Sequence, residues 1–83
     1  MNPLHRDGLL GLVAAREYGL PLGQLLTDLR TGAHRSLTQP QLEIALRDLA
    51  DVSYVVAFDS PLSGRRWRIT ALGKSALAEE GLG

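Results

Sequence analysis

The most concentrated chemistry in the chain lies between Asp59 and Lys74, where Arg65, Arg66, Arg68 and Lys74 are opposed by one acid, Asp59. The planar guanidinium fork donates several hydrogen bonds at fixed angles and suits phosphate oxygens, and phosphate contacts supply most sequence-independent affinity for nucleic acid. Alternating arginines also solvate the outer face of an edge hairpin and discourage strand-to-strand association. For Arg65 and Arg66 the phosphate role is favoured. For Arg68, whose stem can pack beside Trp67, the two readings are balanced. A second group, Gln39, Gln41 and Arg47, carries the donors and acceptors that read purine edges in a major groove, and Ile44 could meet a thymine methyl. Gln41 has an equally good alternative use as a helix cap.

The other reactive side chains point to no catalytic chemistry. His5 and His34 have no second histidine at ligand spacing, and the chain contains no cysteine, so neither a metal site nor a disulfide is expected. His34, beside Arg35, could meet a phosphate, but a solvated loop is the simpler expectation. Glu79 and Glu80 sit at a helix end that frays, without the fixed geometry acid–base chemistry needs. There is no phosphate-cradling glycine loop, nucleophile elbow or paired His-Glu helix motif. The expectation is a binding protein, not an enzyme, with no cofactor. Trp67, which alternates with Ile69, is expected in the core and not in base stacking.

A chain of 83 residues holds one domain, residues 1–83, with 45% hydrophobic and 22% charged residues, an ordinary globular composition. Nine basic and nine acidic residues cancel, which counts against a strong polyanion binder overall and makes the local charge distribution decisive. The longest apolar run, Leu9 to Ala15, is far below the roughly 20 residues that span a bilayer. The segment Met1 to Asp7 lacks the pattern of a secretion signal, so a cytoplasmic location is expected.

Five short elements, with two strands counted as one hairpin, must position these residues. Asp7 to Tyr18 is dense in apolar residues and reads as a helix closed by Gly19, with Gly8 and Gly11 weakening its first half. From Pro21 to Gly32, Leu22, Leu25, Leu26 and Leu29 recur at one helical face. The third helix has the best start signal. Thr38 at the cap and Gln41 three residues on can bond reciprocally, Leu37 and Leu42 can form a hydrophobic staple, and Pro40 in the first turn costs no helical bond. Its stripe of Leu42, Ala45, Leu46 and Leu49 ends near Val52 and turns Pro40, Glu43, Ile44, Arg47 and Asp51 outward. Tyr54 to Phe58 and Arg66 to Thr70 alternate as two strands around a turn-rich loop, Asp59 to Arg65. Thr70 can cap a last helix through Glu80. Tyr18 and Tyr54 are expected at the core edge with wet hydroxyls.

This order, with the phrases Leu25-x3-Leu29, Leu37-Thr38-x3-Leu42-x3-Leu46-x2-Leu49, Ser53-Tyr54-Val55-Val56 and Trp67-Arg68-Ile69-Thr70-Ala71-Leu72-Gly73-Lys74-x2-Leu77, resembles the winged helix-turn-helix superfamily. It is broadly similar to bacterial regulators of the MarR and PadR kind. The chain departs from them at Ser53, where such domains often carry glycine, and in lacking a long terminal dimerisation helix. The resemblance implies an α+β fold of three helices, a two-stranded β-hairpin wing and a short C-terminal helix. It further implies a transcriptional regulator or accessory factor for double-stranded DNA, dimeric when bound, with the third helix in the major groove and the wing on the backbone. Carried over residue by residue, Ser36, Thr38, Gln39, Gln41, Ile44 and Arg47 would face DNA from the helix, and Arg65, Arg66 and Arg68 from the wing. Winged helices also serve as protein adaptors. The alternative is therefore a protein partner docked on the Pro40 and Ile44 face beside Glu43, Asp48 and Asp51.

Overall fold

The first helix, α1, spans Pro3–Ala15 in the computed structural model, which describes residues 1–62 and 64–81. It begins at Pro3 and not at Asp7, because Asn2 caps it, accepting a hydrogen bond from the His5 amide at 2.8 Å, and Pro3 occupies a first-turn position that needs no amide. It also stops before Tyr18. Arg16 turns the backbone to φ 55°, ψ −140°, and Arg16–Tyr18 form a separate 3-10 turn that leaves the Tyr18 side chain in solvent, 74% exposed, not at the core edge.

Helix α2 is Leu22–Thr31 and α3 is Gln39–Asp51. The expected capping box is present in both halves: the Thr38 hydroxyl accepts from the Gln41 amide at 3.3 Å, and the Gln41 side-chain oxygen accepts from the Thr38 amide at 2.9 Å. Leu37 and Leu42 are both buried, as a staple requires. The turn between the helices is fixed by Arg30, whose Nε donates to the Leu37 carbonyl at 2.7 Å.

Strands β1, Val55–Ser60, and β2, Gly64–Ile69, pair antiparallel from Val55↔Ile69 to Ser60↔Gly64. Each strand is shifted toward the hairpin tip relative to the sequence reading. The outermost pairs, Asp59↔Arg65 and Ser60↔Gly64, are polar and carry no hydrophobic alternation to mark them. A feature that periodicity could not reveal is the isolated bridge between Leu20 and Trp67, closed by two hydrogen bonds of 2.8 Å. It joins the α1–α2 connection to β2. Gly19, at φ 67°, permits it: a Cβ there would lie 2.3 Å from the Trp67 carbonyl oxygen.

Helix α4, Ala71–Glu79, starts at the Thr70 cap, whose hydroxyl accepts from the Gly73 amide at 3.1 Å and donates to the Ser53 carbonyl at 2.6 Å. Ser53 itself stands at φ 65°, a left-handed backbone that an L side chain occupies at a cost of about 1–2 kcal/mol.

The four helices and two-stranded hairpin make an α+β architecture in the order helix, helix, helix, hairpin, helix. Leu9, Leu12, Leu25, Leu42, Leu46 and Leu77 are its largest fully buried side chains. Val55 and Ile69 close the core from the hairpin, and Trp67 packs against it half-buried. No helix among the described residues is long and apolar enough to cross a membrane.

Candidate nucleic-acid interface

Between α3 and the hairpin runs a cleft of about 400 Å³ lined by Leu22, Glu43, Arg47, Arg65 and Trp67. Its cations come from two elements. On α3 the buried stripe of Leu42, Ala45, Leu46 and Leu49 fixes the helix rotation and turns Arg47 outward. On β2 the two-residue period puts Arg65 on the same face as Trp67 and Ile69, which faces the core and the cleft. The Arg47 side chain has no hydrogen-bond or ion-pair partner among the described residues. Arg65 lies 3.7 Å from Asp59, its cross-strand partner, but both side chains are largely exposed, and such pairs contribute little and yield readily to another anion.

The same alternation separates the three wing arginines that the sequence groups together. Arg66 and Arg68 lie on the opposite face of β2 from Arg65. Arg66 donates from Nε to the Tyr18 carbonyl at 2.9 Å and from Nη2 to the Gly19 carbonyl at 3.0 Å, so its fork fastens the hairpin to the α1–α2 connection. Arg68 stacks over Phe58, 5.4 Å from the ring centroid, rather than packing on Trp67.

On α3, Thr38 and Gln41 are committed to the capping box, although their side chains stay at the surface. Gln39 is exposed and donates weakly to Glu43 at 3.4 Å. Ile44 is 59% exposed. Ser36 lies in the turn before α3, where it lines a shallow depression with His34, Arg35 and Gln41. The surface of α3 is electrostatically mixed, since Glu43, Asp48 and Asp51 accompany Arg47. Leu22 and Glu43 complete the cleft. Sequence reading assigned neither to the site: Leu22 belonged to a core stripe, and nothing short of the tertiary fold brings α2 to the hairpin.

His34 is not simply a solvated loop residue. Its Nε2 lies 2.7 Å from Asp7 Oδ2, tying the turn before α3 to α1 and so setting how α3 is presented. This hydrogen bond is the largest influence holding the Asp7 carboxyl below its ordinary range; partial burial opposes it, and Arg6 assists. A carboxyl with a depressed folded-state pKa contributes stability that is present above its unfolded value, about 3.9, and lost as pH falls through the folded value. Melting temperatures between pH 6 and pH 2 should therefore fall more steeply for the native chain than for Asp7→Asn. Parallel curves would mean the contact contributes nothing.

Among the described residues no group of His, Asp and Glu gathers as metal ligands. No family model, curated protein or solved structure matches the chain.

Proposed function

We propose that the chain is a winged-helix DNA-binding domain, a regulator or accessory factor that works by binding double-stranded DNA and not by catalysis. The observation that carries this reading is the convergence of Arg47 from α3 and Arg65 from the hairpin on one open cleft. A helix in the major groove with a hairpin alongside it requires that arrangement, with cations on both elements and a surface between them that a phosphate ridge can enter. In this reading Arg47, Gln39 and Ile44 meet base edges, and Arg65 positions the duplex through phosphate. Ser36 and Arg35 lie at the approach to α3. Thr38 and Gln41 act through the cap that fixes the helix start, and Arg66 acts by fastening the wing.

Anisotropy titrations with duplexes of several sequences at several salt concentrations test it. Arg65→Ala should weaken binding to every sequence alike and make the slope of log affinity against log salt shallower by about one unit, one phosphate contact fewer. Arg47→Ala should instead flatten preference among sequences at about 1–3 kcal/mol per lost base contact. No duplex binding by the native chain even at low salt would sink the reading.

One observation favours a second reading, a protein-docking face: Ile44 is exposed beside Pro40, with Glu43, Asp48 and Asp51 on the same helix. A basic, apolar partner would suit that surface. Ile44→Lys separates the two, because a charge there should abolish docking of a basic, apolar partner, while duplex binding loses one apolar base contact and gains attraction to phosphate.

A further inference from the structure

The chain carries nine basic residues, and among the described residues five of them, Arg16, Arg35, Arg47, Arg68 and Lys74, have side chains with neither a hydrogen-bond nor an ion-pair partner. Three of those five, Arg16, Arg68 and Lys74, line one cleft of about 320 Å³ on the far side of the hairpin from Arg65. Among the described residues Glu17 is the only acid lining it. In a chain of zero net charge, three unneutralised cations against one acid are a marked local excess. They come from three places in the sequence, the end of α1, strand β2 and the first half of α4, and are brought together only by the fold.

Each is held in a way that a purely solvating cation does not need. Arg16 sits at φ 55°, ψ −140°, a backbone conformation in which glycine is the unstrained residue, yet the chain places a long cation there. Arg68 is set over the Phe58 ring. Lys74 follows Gly73, whose lack of a side chain lets α4 approach the Tyr54 backbone and Ile69 of β2 and so brings Lys74 to the cleft. The amide of Gly73 is already taken by the Thr70 cap, so the side chains and not the start of α4 define the site.

We infer that Arg16, Arg68 and Lys74 form a second phosphate-binding surface, for the phosphodiester backbone of DNA, on the hairpin face opposite the Arg47 and Arg65 cleft. The cleft is open and its cations are exposed on long stems, which suits a row of phosphates more than one enclosed anion. This rests on the DNA reading above, and it extends the contact from one side of the hairpin to both.

The test is the salt dependence of duplex binding by the full chain. Arg16→Gln combined with Lys74→Gln should make the slope of log affinity against log salt shallower by about two units with sequence preference unchanged. Lys74→Gln alone, at an exposed position, should give about half of that, so a folding defect at Arg16 would not mask the result. Glu17→Gln, which removes the only acid, should raise affinity severalfold at low salt and lose that advantage at high salt. An unchanged slope in both lysine variants overturns the inference. If Arg47→Ala and Arg65→Ala weaken binding while the Arg16 and Lys74 variants do not, the α3 cleft stands and this surface falls. If the Arg16 and Lys74 variants alone weaken it, this surface stands and the α3 reading falls.

Discussion

Leu46→Ala should lower the stability of the domain by about 2–5 kcal/mol, measured by denaturant unfolding. Leu46 is 0% exposed, in the middle of α3 and within the same core cluster as Leu9, Leu12, Leu25 and Leu77. Truncation removes buried methyl groups and leaves a cavity among side chains that belong to different helices and cannot all collapse into it. In a domain this small each kcal/mol corresponds to about 4–8 °C in melting temperature, so the variant should be largely unfolded at temperatures where the native chain is intact. Because the same stripe sets the rotation of α3, a loss under about 0.5 kcal/mol would mean that Arg47 and Ile44 are wrongly placed as outward residues.

Gly73→Ala should also destabilise, by about 1–3 kcal/mol, and here two physical effects predict opposite signs. Helix propensity alone makes alanine the better residue in α4 by about 1 kcal/mol. Packing opposes it. A Cβ at position 73 would stand 2.3 Å from the Tyr54 carbonyl oxygen and 2.8 Å from Ile69 Cγ1, and a backbone carbonyl cannot swing away as a flexible side-chain end could. That carbonyl also accepts the Thr70 amide at 3.0 Å, so moving it disturbs the cap of α4. Equilibrium unfolding gives the sign directly. A stabilised variant would show that α4 does not approach Tyr54 and Ile69 this closely.

Helix α3 was almost fully legible from sequence because several local signals agree within it: cap, staple, proline and stripe. The start of α1 was obscured by Gly8 and Gly11, whose poor propensity is outweighed by tertiary contacts. Gly8 is buried, and a Cβ at Gly11 would come within 3.0 Å of Leu25. The hairpin was recognisable by its alternation, but its polar tip was not. For the site, the residue types could be read and their destinations only in part. Strand alternation already implied that Arg65 and Arg66 face opposite ways, whereas the capture of Arg66 by the Tyr18 and Gly19 carbonyls depends on a bridge between distant segments. The Asp7–His34 contact was hidden for the same reason, since neither residue carries a local mark of the other.

The Leu20–Trp67 bridge bears on the order in which the molecule assembles. Two hydrogen bonds hold segments that in an unfolded chain are separated by all of α2, α3 and β1, and closing a flexible loop of that length costs about 3 kcal/mol, more than two hydrogen bonds return. The bridge therefore forms only after the helices have packed and the hairpin has zipped, when the effective loop is short. Trp67 lines the cleft and Arg65 lies two residues along the same strand. The cleft is thus among the last parts of the chain to be completed on folding, and the Leu20–Trp67 bridge among the first contacts to come loose in local opening.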